Sequence, residues 1–332
     1  MIRLAIDAMG GDHAPEEIIK GINIAVKEFN DVEFNVFGDE TIIKQFLIPN
    51  KRVKVFHTAL FLDMGEKDPV KQFRNNPDMS LFKAMRFVKE GNADAVVSAG
   101  PTQCLIVGGV FIIKRMKSMH KIAIAPIIPT ANNIPRILLD AGGNIEAKPE
   151  HLLEFSIYAA NVIKALYNIE NPKVGLINIG TEEGKGRELE KEAFELLKHS
   201  NKINFIGNVE TKEVLTSEAN VLVSDGFTAN IVLKTIEGTA KGLGIILKKS
   251  LTRNIISKLA TGLFLNGSIK QFKKTLDPNE VGGAMILGLN SVVIKAHGSS
   301  NAFAFKNAIK QARSMVNADV VNKVSELLEQ QD

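Results

Sequence analysis

The chain has 332 residues, of which 45% are hydrophobic and 23% are charged, and its 41 basic and 37 acidic side chains give a formal net charge of +4. This composition excludes a disordered or fibrous protein, and the length suits one large α/β unit or two domains that share an interface. Cys104 is the only cysteine, which excludes an intramolecular disulfide and a cysteine-rich metal site and favours a reducing compartment.

The N-terminal region is too polar for a secretory signal, because Asp7 and Asp12 stand where a signal peptide needs an apolar segment. We expect no membrane-spanning segment either. Together with the single cysteine, these features predict a cytoplasmic protein. The small positive net charge hints at an acidic partner, although a sum over the whole chain does not locate that charge.

Short β-branched runs alternate with segments of helical periodicity along the chain. Such alternation is typical of βαβ units and predicts an α/β fold with an open, mostly parallel sheet. The predicted strands, in chain order, are residues 3–7, 33–37, 53–57, 93–99, 122–127, 136–140, 173–179, 204–206, 220–224 and 291–296. The clearest predicted helices are residues 16–29, 151–166, 187–198 and 302–316. No internal repeat or long linker interrupts the pattern, so residues 1–332 are predicted to form one unit of two intertwined lobes.

Six of the predicted strands run into loops of glycines and small polar residues. These loops are residues 9–13, 98–102, 140–144, 180–186, 224–228 and 297–301. In an open parallel sheet the carboxyl ends of the strands lie at one edge, where ligands bind, so we expect all six loops to converge. Glycines such as Gly10 and Gly11 let backbone N–H groups approach an anion, and the following helices present their positive N-termini to it. The loops therefore predict a site for an anionic ligand.

The loop at residues 180–186 is similar to a nucleotide-binding P-loop, but it departs from that pattern in two ways. Three residues instead of four separate Gly180 from Gly184-Lys185, and Gly186 replaces the required serine or threonine. A nucleoside triphosphatase is therefore not expected. Two interpretations stay open: a simple helix-entry loop with Lys185 in solvent, or a loop that places Lys185, Thr181 and backbone donors on an oxyanion or a phosphate.

Several common catalytic signatures are absent from the sequence. It has no G-x-S-x-G nucleophile motif, Cys104 has no evident histidine partner, and the six histidines never stand at metal-ligand spacing. No G-x-G-x-x-G follows the first predicted strand. We therefore expect neither covalent catalysis nor a metal nor a cofactor. His13 and His297 are candidate acids or anion ligands, although each also fits a structural role, and Ser299 and its neighbours also fit a helix cap.

Five motifs are more specific when they are taken together. They are DAMGGDHAP (7–15), GLINIGTEEGKG (175–186), FIGNVE (205–210), SDGFTANIVLKTIEG (224–238) and AHGSSNA (296–302). In combination they closely resemble the bacterial acyl-acyl-carrier-protein:phosphate acyltransferases of phospholipid synthesis. The resemblance implies reversible transfer of a long-chain acyl group from acyl carrier protein to inorganic phosphate, which yields acyl phosphate for a membrane glycerol-3-phosphate acyltransferase. It also implies a homodimer with a fold similar to isocitrate dehydrogenase and phosphotransacetylase; nucleic acid is not an expected partner.

The chain departs from the family pattern at a few positions. It reads SAGPTQC where SAGNTGA is usual, so Pro101 and Gln103 replace an asparagine and a glycine. Pro101 removes one backbone donor from the predicted anion loop, and Thr102 remains there as the candidate contact. Gly143 and Ala229 stand where alanine and glycine are usual.

The chemistry of the family fits the residues that the sequence offers. Phosphate is itself the nucleophile, with a second pKa of about 6 in a phosphoester, so no activated serine or cysteine is required. We predict Lys185 as the catalytic cation on phosphate or the developing oxyanion, with Asn178 and Thr181 as neutral donors. His13 is the next catalytic candidate. The remaining predicted contacts to phosphate or substrate are Asp12, Gly10, Gly11, Thr102, Asp225, Asn230, His297 and Ser299.

Residues 234–274 form the most basic stretch of the chain. They contain nine lysines or arginines and one acid, Glu237, a local charge of +8 that leaves −4 for the other 291 residues. Leucine or isoleucine recurs every four residues from Leu243 to Leu263, which predicts a protruding basic amphipathic helical arm. Three interpretations stay open: a buried helix of the core or dimer interface, a contact with an anionic membrane surface, or a dock for acyl carrier protein. A membrane contact would place the cytoplasmic protein at the inner face of the membrane.

Three alternative functions remain after this reasoning. A short-chain phosphate acyltransferase that uses acyl-coenzyme A would share the expected fold and much of the expected site. A non-catalytic module that binds anions or lipids would turn over no thioester. A decarboxylating dehydrogenase of the same architecture would need a metal-binding set of aspartates, which the sequence does not reveal.

Overall fold

The computed structural model describes residues 1–254, 265, 267, 269, 271, 278–280 and 282–329. In this part of the chain, the strands form one eleven-stranded sheet. The strands are β1 (Ile2–Asp7), β2 (Val32–Gly38), β3 (Val53–His57), β4 (Ala95–Ser98), β5 (Ala123–Ile128), β6 (Arg136–Leu139), β7 (Lys173–Asn178), β8 (Asn204–Glu210), β9 (Val221–Val223), β10 (Gly283–Leu287) and β11 (Val292–Ala296). Their order across the sheet is β3-β2-β1-β4-β11-β10-β5-β6-β9-β7-β8.

Helices connect most of these strands, as expected for an α/β fold. They are α1 (Glu16–Glu28), α2 (Glu40–Phe46), α3 (Pro69–Asn75), α4 (Ser80–Lys89), α5 (Thr102–Gly108), α6 (Pro149–Tyr167), α7 (Glu188–His199), α8 (Gly226–Leu251), α9 (Ala302–Asn317) and α10 (Val320–Glu329). A π-helical turn follows α5 at Gly109–Ile113, and short 3₁₀ turns occupy Thr211–Glu213 and Pro278–Glu280. None of the described helices is both long enough and apolar enough to cross a membrane.

Both faces of the sheet are covered, because successive side chains of a strand point to opposite faces. In β1, Leu4 and Ile6 belong to the largest buried cluster, which also contains the apolar faces of α1, α6 and α9. The intervening Ala5 belongs to a second cluster with residues of α4 and α5. A third, smaller cluster lies around β9 and the first turns of α8.

The predicted elements agree closely with the structure in position and type. The α/β class and the mostly parallel sheet are confirmed, since seven of the strand pairs described here are parallel and three are antiparallel. The strand predicted at residues 204–206 continues to Glu210. The prediction missed β10 altogether. That strand carries Gly, Ala, Met and Leu with a single β-branched residue, so its composition does not distinguish a strand from a buried helix.

The expectation that all six loops converge at one edge is wrong, and the antiparallel pairs give the reason. Strand β10 runs antiparallel to both β11 and β5, and β6 runs antiparallel to β5. The parallel run β3-β2-β1-β4-β11 therefore points in the opposite sense to the parallel run β6-β9-β7-β8. Since the two runs do not share one carboxyl edge, their loops form two separate groups.

Helix α8 is long, yet only three of its 26 residues are buried. Gly226, Ala229 and Val232 are buried in its first two turns, and every later residue of the helix is at least partly exposed. Half or more of Ile245 and Ile246 is accessible to solvent, at 51% and 61%. Helix α8 covers the first part of the arm predicted at residues 234–274; residues 255–264, 266, 268, 270 and 272–274 of that prediction lie outside the described residues.

Candidate active site

The loops after β1, β4 and β11 lie against one another and form what we call the first loop group (residues 8–14, 99–101 and 297–301). The backbone N–H of Asp12 donates to the carbonyl of Gly298 at 2.8 Å. Gly10 lies so close to Gly100 that a Cβ on Gly10 would fall 2.7 Å from the nitrogen of Gly100. Gly11 has a φ of +120°, a conformation that glycine adopts without strain. Because these glycines have no side chains, the three loops can pack closely against one another.

A buried carboxylate fixes the base of the first loop group. Asp7, the last residue of β1, accepts hydrogen bonds from the hydroxyls of Ser80 at 2.7 Å and Ser98 at 2.6 Å, and from the backbone N–H of Met9 at 3.2 Å. Ser98 in turn accepts from the N–H of Gly100 at 2.9 Å. Burial raises the pKa of Asp7, and these hydrogen bonds oppose that shift. Asp7 thus ties β1, α4 and the loop after β4 together, a role that the sequence did not reveal.

Cys104 lies close to this base without the properties of a nucleophile. The thiol is buried in α5, and burial, with contributions from Glu66 and Asp7, raises its pKa to about 11. A thiol must ionise to attack a carbonyl, so this environment suppresses its reactivity. The structure therefore supports the expectation that Cys104 is not a catalytic nucleophile.

The carboxyl end of β11 brings a lysine and a histidine to the first loop group. The Nδ1 atom of His297 accepts the backbone N–H of Ser299 at 3.2 Å and lies 2.9 Å from the hydroxyl of the same residue. Desolvation and the neighbouring Lys295 lower the pKa of His297, so the ring is neutral at neutral pH with its proton on Nε2. Lys295 was not among the predicted site residues; it is half-buried, and its Nζ donates to the carbonyl of Ala296 at 3.2 Å.

The surroundings of the other predicted residues of this group differ. The N-terminus of α9 is capped by Asn301, whose side chain accepts the N–H of Ala304, while Glu17 accepts the N–H of Ala302 at 2.7 Å. Ser299 binds His297 instead of capping the helix. His13 is exposed and lines an open cavity of about 420 Å³ with Gln45 and residues of α1 and α2. Thr102 is the first residue of α5 and is partly buried.

The loops after β6, β7 and β9 form the second loop group (residues 140–144, 179–187 and 224–228). Its central loop is held from beneath by two asparagines. Asn178 donates to the carbonyl of Lys185 at 3.0 Å and to the side chain of Asn208 at 3.1 Å, and Asn208 donates to the carbonyl of Glu182 at 2.8 Å. The predicted donor Asn178 therefore has both amide hydrogens engaged within the loop, and its direct contact with substrate stays a prediction.

Lys185 and Thr181 lie on the outer side of this clamped loop. Both are exposed. No carboxylate among the described residues lies within ion-pair distance of the Lys185 ammonium, in contrast to its neighbours Lys191 and Lys198. Gly186, with a φ of +95°, packs so closely on Glu190 that a Cβ would lie 2.7 Å away. The loop is thus rigid beneath a cation that has no protein counter-ion in the described chain.

An ion-pair network joins the second loop group to the start of α8. The guanidinium of Arg187 contacts the buried carboxylates of Glu190 and Asp225, the latter at 2.5 Å. These partners, Glu190 foremost, raise the pKa of Arg187. Asp225 also caps α8 by accepting the N–H of Thr228 at 2.6 Å. Asp225 was predicted at the rim of the anion site; the structure shows its two oxygens bound to protein groups.

The loop after β6 is organised by a second buried aspartate. Asp140 accepts backbone N–H groups from Ile124, Gly143 and Asn144 at 2.7–2.9 Å, and burial raises its pKa. Asn144 then meets α8, since its carbonyl accepts the N–H of Gly226 at 2.8 Å. The predicted residue Asn230 lies one turn further along α8, close to Gly142. The six loops thus form two groups, and each group contains a loop that a buried aspartate organises.

Helix α8 connects the two loop groups. Its N-cap Asp225 belongs to the second group. Nine residues later, about 14 Å along the axis at 1.5 Å per residue, Lys234 lies near enough to Lys295 and His297 to lower the pKa of each. The site residues predicted from sequence therefore fall into two sets, with Lys185, Asn178, Thr181, Asp225 and Asn230 in or beside the second group and the others in or beside the first.

Comparison with known proteins identifies relatives whose sequences align with nearly the entire chain. Residues 2–323 match the family model described as Fatty acid synthesis protein. A phosphate acyltransferase of Acholeplasma laidlawii (strain PG-8A) is 54% identical over 333 residues, which cover 100% of both chains. A phosphate acyltransferase of Geobacillus sp. (strain WCH70) is 43% identical, with 99% of each chain covered.

Solved structures support the fold independently. A phosphotransacetylase from Streptococcus pyogenes superposes with a TM-score of 0.62 at 16% identity, covering 97% of this chain and 94% of that chain. A branched-chain phosphotransacylase from Enterococcus faecalis V583 gives a TM-score of 0.58 at 16% identity, covering 95% and 100%. The phosphotransacetylase-like fold expected from the sequence is therefore confirmed.

The five sequence motifs that carried the resemblance all lie at the two loop groups or the elements that support them. Residues 7–15 and 296–302 build the first group, and residues 175–186 and 224–238 build the second group and the start of α8. The fifth motif, residues 205–210, supplies Asn208 to the clamp. On this match of motifs, sequence and fold, the chain belongs to the phosphate acyltransferase family of enzymes.

Proposed function

We propose that this protein transfers a long-chain acyl group from the thioester of acyl carrier protein to inorganic phosphate. The product is an acyl phosphate, which a membrane glycerol-3-phosphate acyltransferase then consumes in phospholipid synthesis. Full-length similarity to phosphate acyltransferases supports the reaction class. The structural observation that carries the proposal is Lys185, an exposed cation without a carboxylate partner among the described residues, on a loop that two asparagines hold in place.

The reaction requires little covalent chemistry from the protein. Phosphate supplies the attacking oxygen, and the leaving thiolate is a good leaving group because an ordinary thiol has a pKa of about 8.5. Orientation and stabilisation of the developing oxyanion therefore dominate, and the loss of one oxyanion donor typically costs about 10²–10³ in rate. The high pKa of Cys104 is consistent with a mechanism that does not use an enzyme thiolate.

Within this mechanism Lys185 stabilises negative charge on phosphate or on the tetrahedral oxyanion. Thr181 is a neutral donor on the same loop. Asn178 acts on Lys185 by holding its carbonyl, as Asp225 acts on the loop through Arg187. His13 and Asp12 serve the first loop group as acid or anion contact, with Gly11 offering its backbone N–H, whereas the N–H of the predicted contact Gly10 is directed at the buried Asp7.

Helix α8 and the rest of the basic arm are the proposed contact for larger partners. Lys241, Lys248 and Lys249 are exposed on α8, and apolar side chains of the same helix are exposed beside them. Acyl carrier protein, an anionic membrane surface and a second copy of the chain each suit such a surface. A homodimer that works in the cytoplasm at the inner face of the membrane is the arrangement that we propose.

The reaction is tested by incubating the purified protein with palmitoyl-acyl-carrier-protein and labelled phosphate, and by trapping the acyl phosphate with hydroxylamine. We expect formation of palmitoyl phosphate. Turnover of acetyl-coenzyme A but not of palmitoyl-acyl-carrier-protein would instead indicate the short-chain enzyme. No turnover of either thioester would indicate a non-catalytic anion-binding module.

The role of Lys185 is tested with Lys185→Met. We expect a loss of about 10²–10³ in turnover, as for removal of an oxyanion donor. The matched control is Lys191→Met, which removes an exposed lysine of α7 that lies 3.8 Å from Glu188. Equal activity of a folded Lys185→Met protein and its control would contradict the central role of Lys185.

The arm is tested by flotation with vesicles of phosphatidylglycerol and by sedimentation equilibrium. Charge reversal of Lys241, Lys248 and Lys249 removes a favourable interaction of about 1 kcal/mol per residue near an anionic surface. Loss of flotation with an unchanged mass would support membrane contact. A change in mass would assign this part of the arm to the dimer, and a raised KM for acyl carrier protein alone would assign it to docking.

A further inference from the structure

We propose that Lys295 is a second catalytic lysine, which binds the anionic oxygens of inorganic phosphate in the first loop group. This inference rests on the proposed acyl transfer to phosphate and identifies a residue that sequence reasoning did not select. It assigns the phosphate to the glycine-lined loops after β1, β4 and β11.

The position of Lys295 in the sheet is the first argument. It pairs with Ser98 of β4 in parallel register, and β4 is in turn the neighbour of β1. Residues in register on adjacent strands share a face, so Ser98 and Lys295 lie in one row at the carboxyl end of the sheet. The hydroxyl of Ser98 donates to Asp7. The lysine therefore projects from the same rigid, hydrogen-bonded base that holds the first loop group.

The bonding of the ammonium is the second argument. A lysine ammonium has three N–H donors. In the described part of the chain, Lys295 uses one of them on the carbonyl of Ala296 at 3.2 Å and has no carboxylate within ion-pair distance. A half-buried cation with unused donors is costly in isolation, because burial disfavours charge. An anion bound among the adjacent glycines would supply the missing acceptors.

The charged groups around Lys295, on α8 and on the loop after β1, are the third argument. Lys234 of α8 lies near Lys295 and acts with burial to lower its pKa, whereas Asp12 of the loop after β1 opposes that shift. Lys234 already has a partner in Glu237 at 2.7 Å. His297 is neutral, with Nε2–H available as a donor. Among the described residues, Lys295 is therefore the cation of this cluster without a carboxylate partner, and a neutral donor stands two residues away.

The geometry also accounts for the choice of ligand. Phosphate has several oxygens, and it can bind a cation, an imidazole N–H and backbone N–H groups at once. Gly11 and Gly298 are only partly buried between the loops, and a side chain on either would crowd a neighbouring group. A dianion that several donors can reach suits this site better than the single oxygen of a thioester carbonyl. Lys185 remains available for the acyl group.

The direct test is calorimetric titration of the full-length protein with inorganic phosphate. We expect Lys295→Met to weaken binding about 10- to 100-fold, the loss typical of a hydrogen bond to a charged group. Lys295→Arg retains a positive charge and should recover part of the affinity. Lys191→Met, on α7, should bind like the wild type. Lys295→Gln replaces the methionine variant if circular dichroism shows that the latter is unfolded.

Kinetics give a second and independent readout. Lys295→Met should raise the KM for phosphate and leave the KM for palmitoyl-acyl-carrier-protein unchanged. Because a lysine with a lowered pKa loses its proton at lower pH than an arginine, Lys295→Arg should also retain activity further into alkaline pH than the wild type. Wild-type phosphate affinity in a folded Lys295→Met protein, or an unchanged alkaline limb in Lys295→Arg, would overturn the proposal. Failure of wild-type turnover would refute the proposed function instead, since calorimetry requires no thioester.

Discussion

The close approach of Gly10 to Gly100 gives a sharp test of how the first loop group is built. A methyl group on Gly10 would lie 2.5 Å from Oδ2 of Asp7 and 2.7–2.8 Å from the backbone of Gly100. Ordinary contact begins at 3.4 Å, so the nearest pair would have to separate by about 0.9 Å. Neither neighbour moves easily, because Asp7 is held by Ser80 and Ser98 and Gly100 is bound to Ser98.

We therefore expect Gly10→Ala to reduce both stability and activity. Overpacking of this kind costs about 1–3 kcal/mol of unfolding free energy. A displacement of about 1 Å in a catalytic group can cost on the order of 10² in rate. The φ of Gly10 lies outside the left-handed region, so backbone strain does not contribute and the effect is purely steric.

The matched control is Gly65→Ala, at an exposed position with no atom within 4 Å of the added methyl group. Because alanine restricts the unfolded chain, this variant should be neutral or more stable by about 0.4–1 kcal/mol. Urea denaturation and turnover of palmitoyl-acyl-carrier-protein measure the two effects. If Gly10→Ala matched the wild type in both assays, close approach of the loops would not be what requires glycine there.

Three further predictions concern the network around the site. Arg187→Met leaves the buried carboxylate of Asp225 without its cation and should lower the unfolding free energy by about 1–2 kcal/mol. The expected loss is modest because the guanidinium is more than half exposed. An unchanged midpoint of urea denaturation would contradict this prediction. Glu17→Gln should cost about 1 kcal/mol at pH 7. The N–H of Ala302 holds the folded-state pKa of Glu17 below its usual value, so this stability is present above the unfolded-state pKa and lost as pH falls through the folded-state value. The difference between the two proteins should therefore shrink as pH falls below the ordinary pKa of a glutamate, and a constant difference would argue against the assignment. With a pKa of about 11, Cys104 should resist iodoacetamide at pH 8 in the native protein and react after unfolding; rapid native labelling would show that the thiol is accessible.

The sequence predicted the individual elements well because their signals are local. Strands such as Val53–His57 and helices such as Glu16–Glu28 follow directly from β-branched composition, apolar periodicity and the residues at their ends. Strand β10 lacked that signal. Its place between β11 and β5 depends on partners far away in the chain, which a single sequence does not reveal.

The error about loop convergence has the same origin. Each glycine-rich loop was identified correctly at the end of its strand, but the direction of a strand within the sheet is a property of the whole topology. Strands β10 and β6 each run antiparallel to β5, and the loops expected to form one site therefore form two groups. The motif match could not correct this error, because similarity in sequence does not show which loops are in contact.

The residues that hold the site were missed for a further reason. Asp7 and Asp140 are unremarkable in sequence, because an aspartate at the end of a strand is also typical of an exposed turn. Only the structure shows that each is buried and accepts several hydrogen bonds. Lys295 was missed similarly, since a lysine at a strand end usually reaches solvent. Its significance depends on what surrounds it.

Helix α8 gives the two loop groups a fixed relation to each other. Its N-terminus is held by Asp225, which Arg187 ties to the loop of Lys185, and its third turn places Lys234 beside Lys295. A helix changes length very little, so α8 holds Asp225 and Lys234 at a fixed spacing of nine residues. In the sequence, the rest of the predicted basic arm follows α8. We therefore propose that a partner bound to α8 would act on the element that lies between both cations, so that docking on this helix would be coupled to acyl transfer.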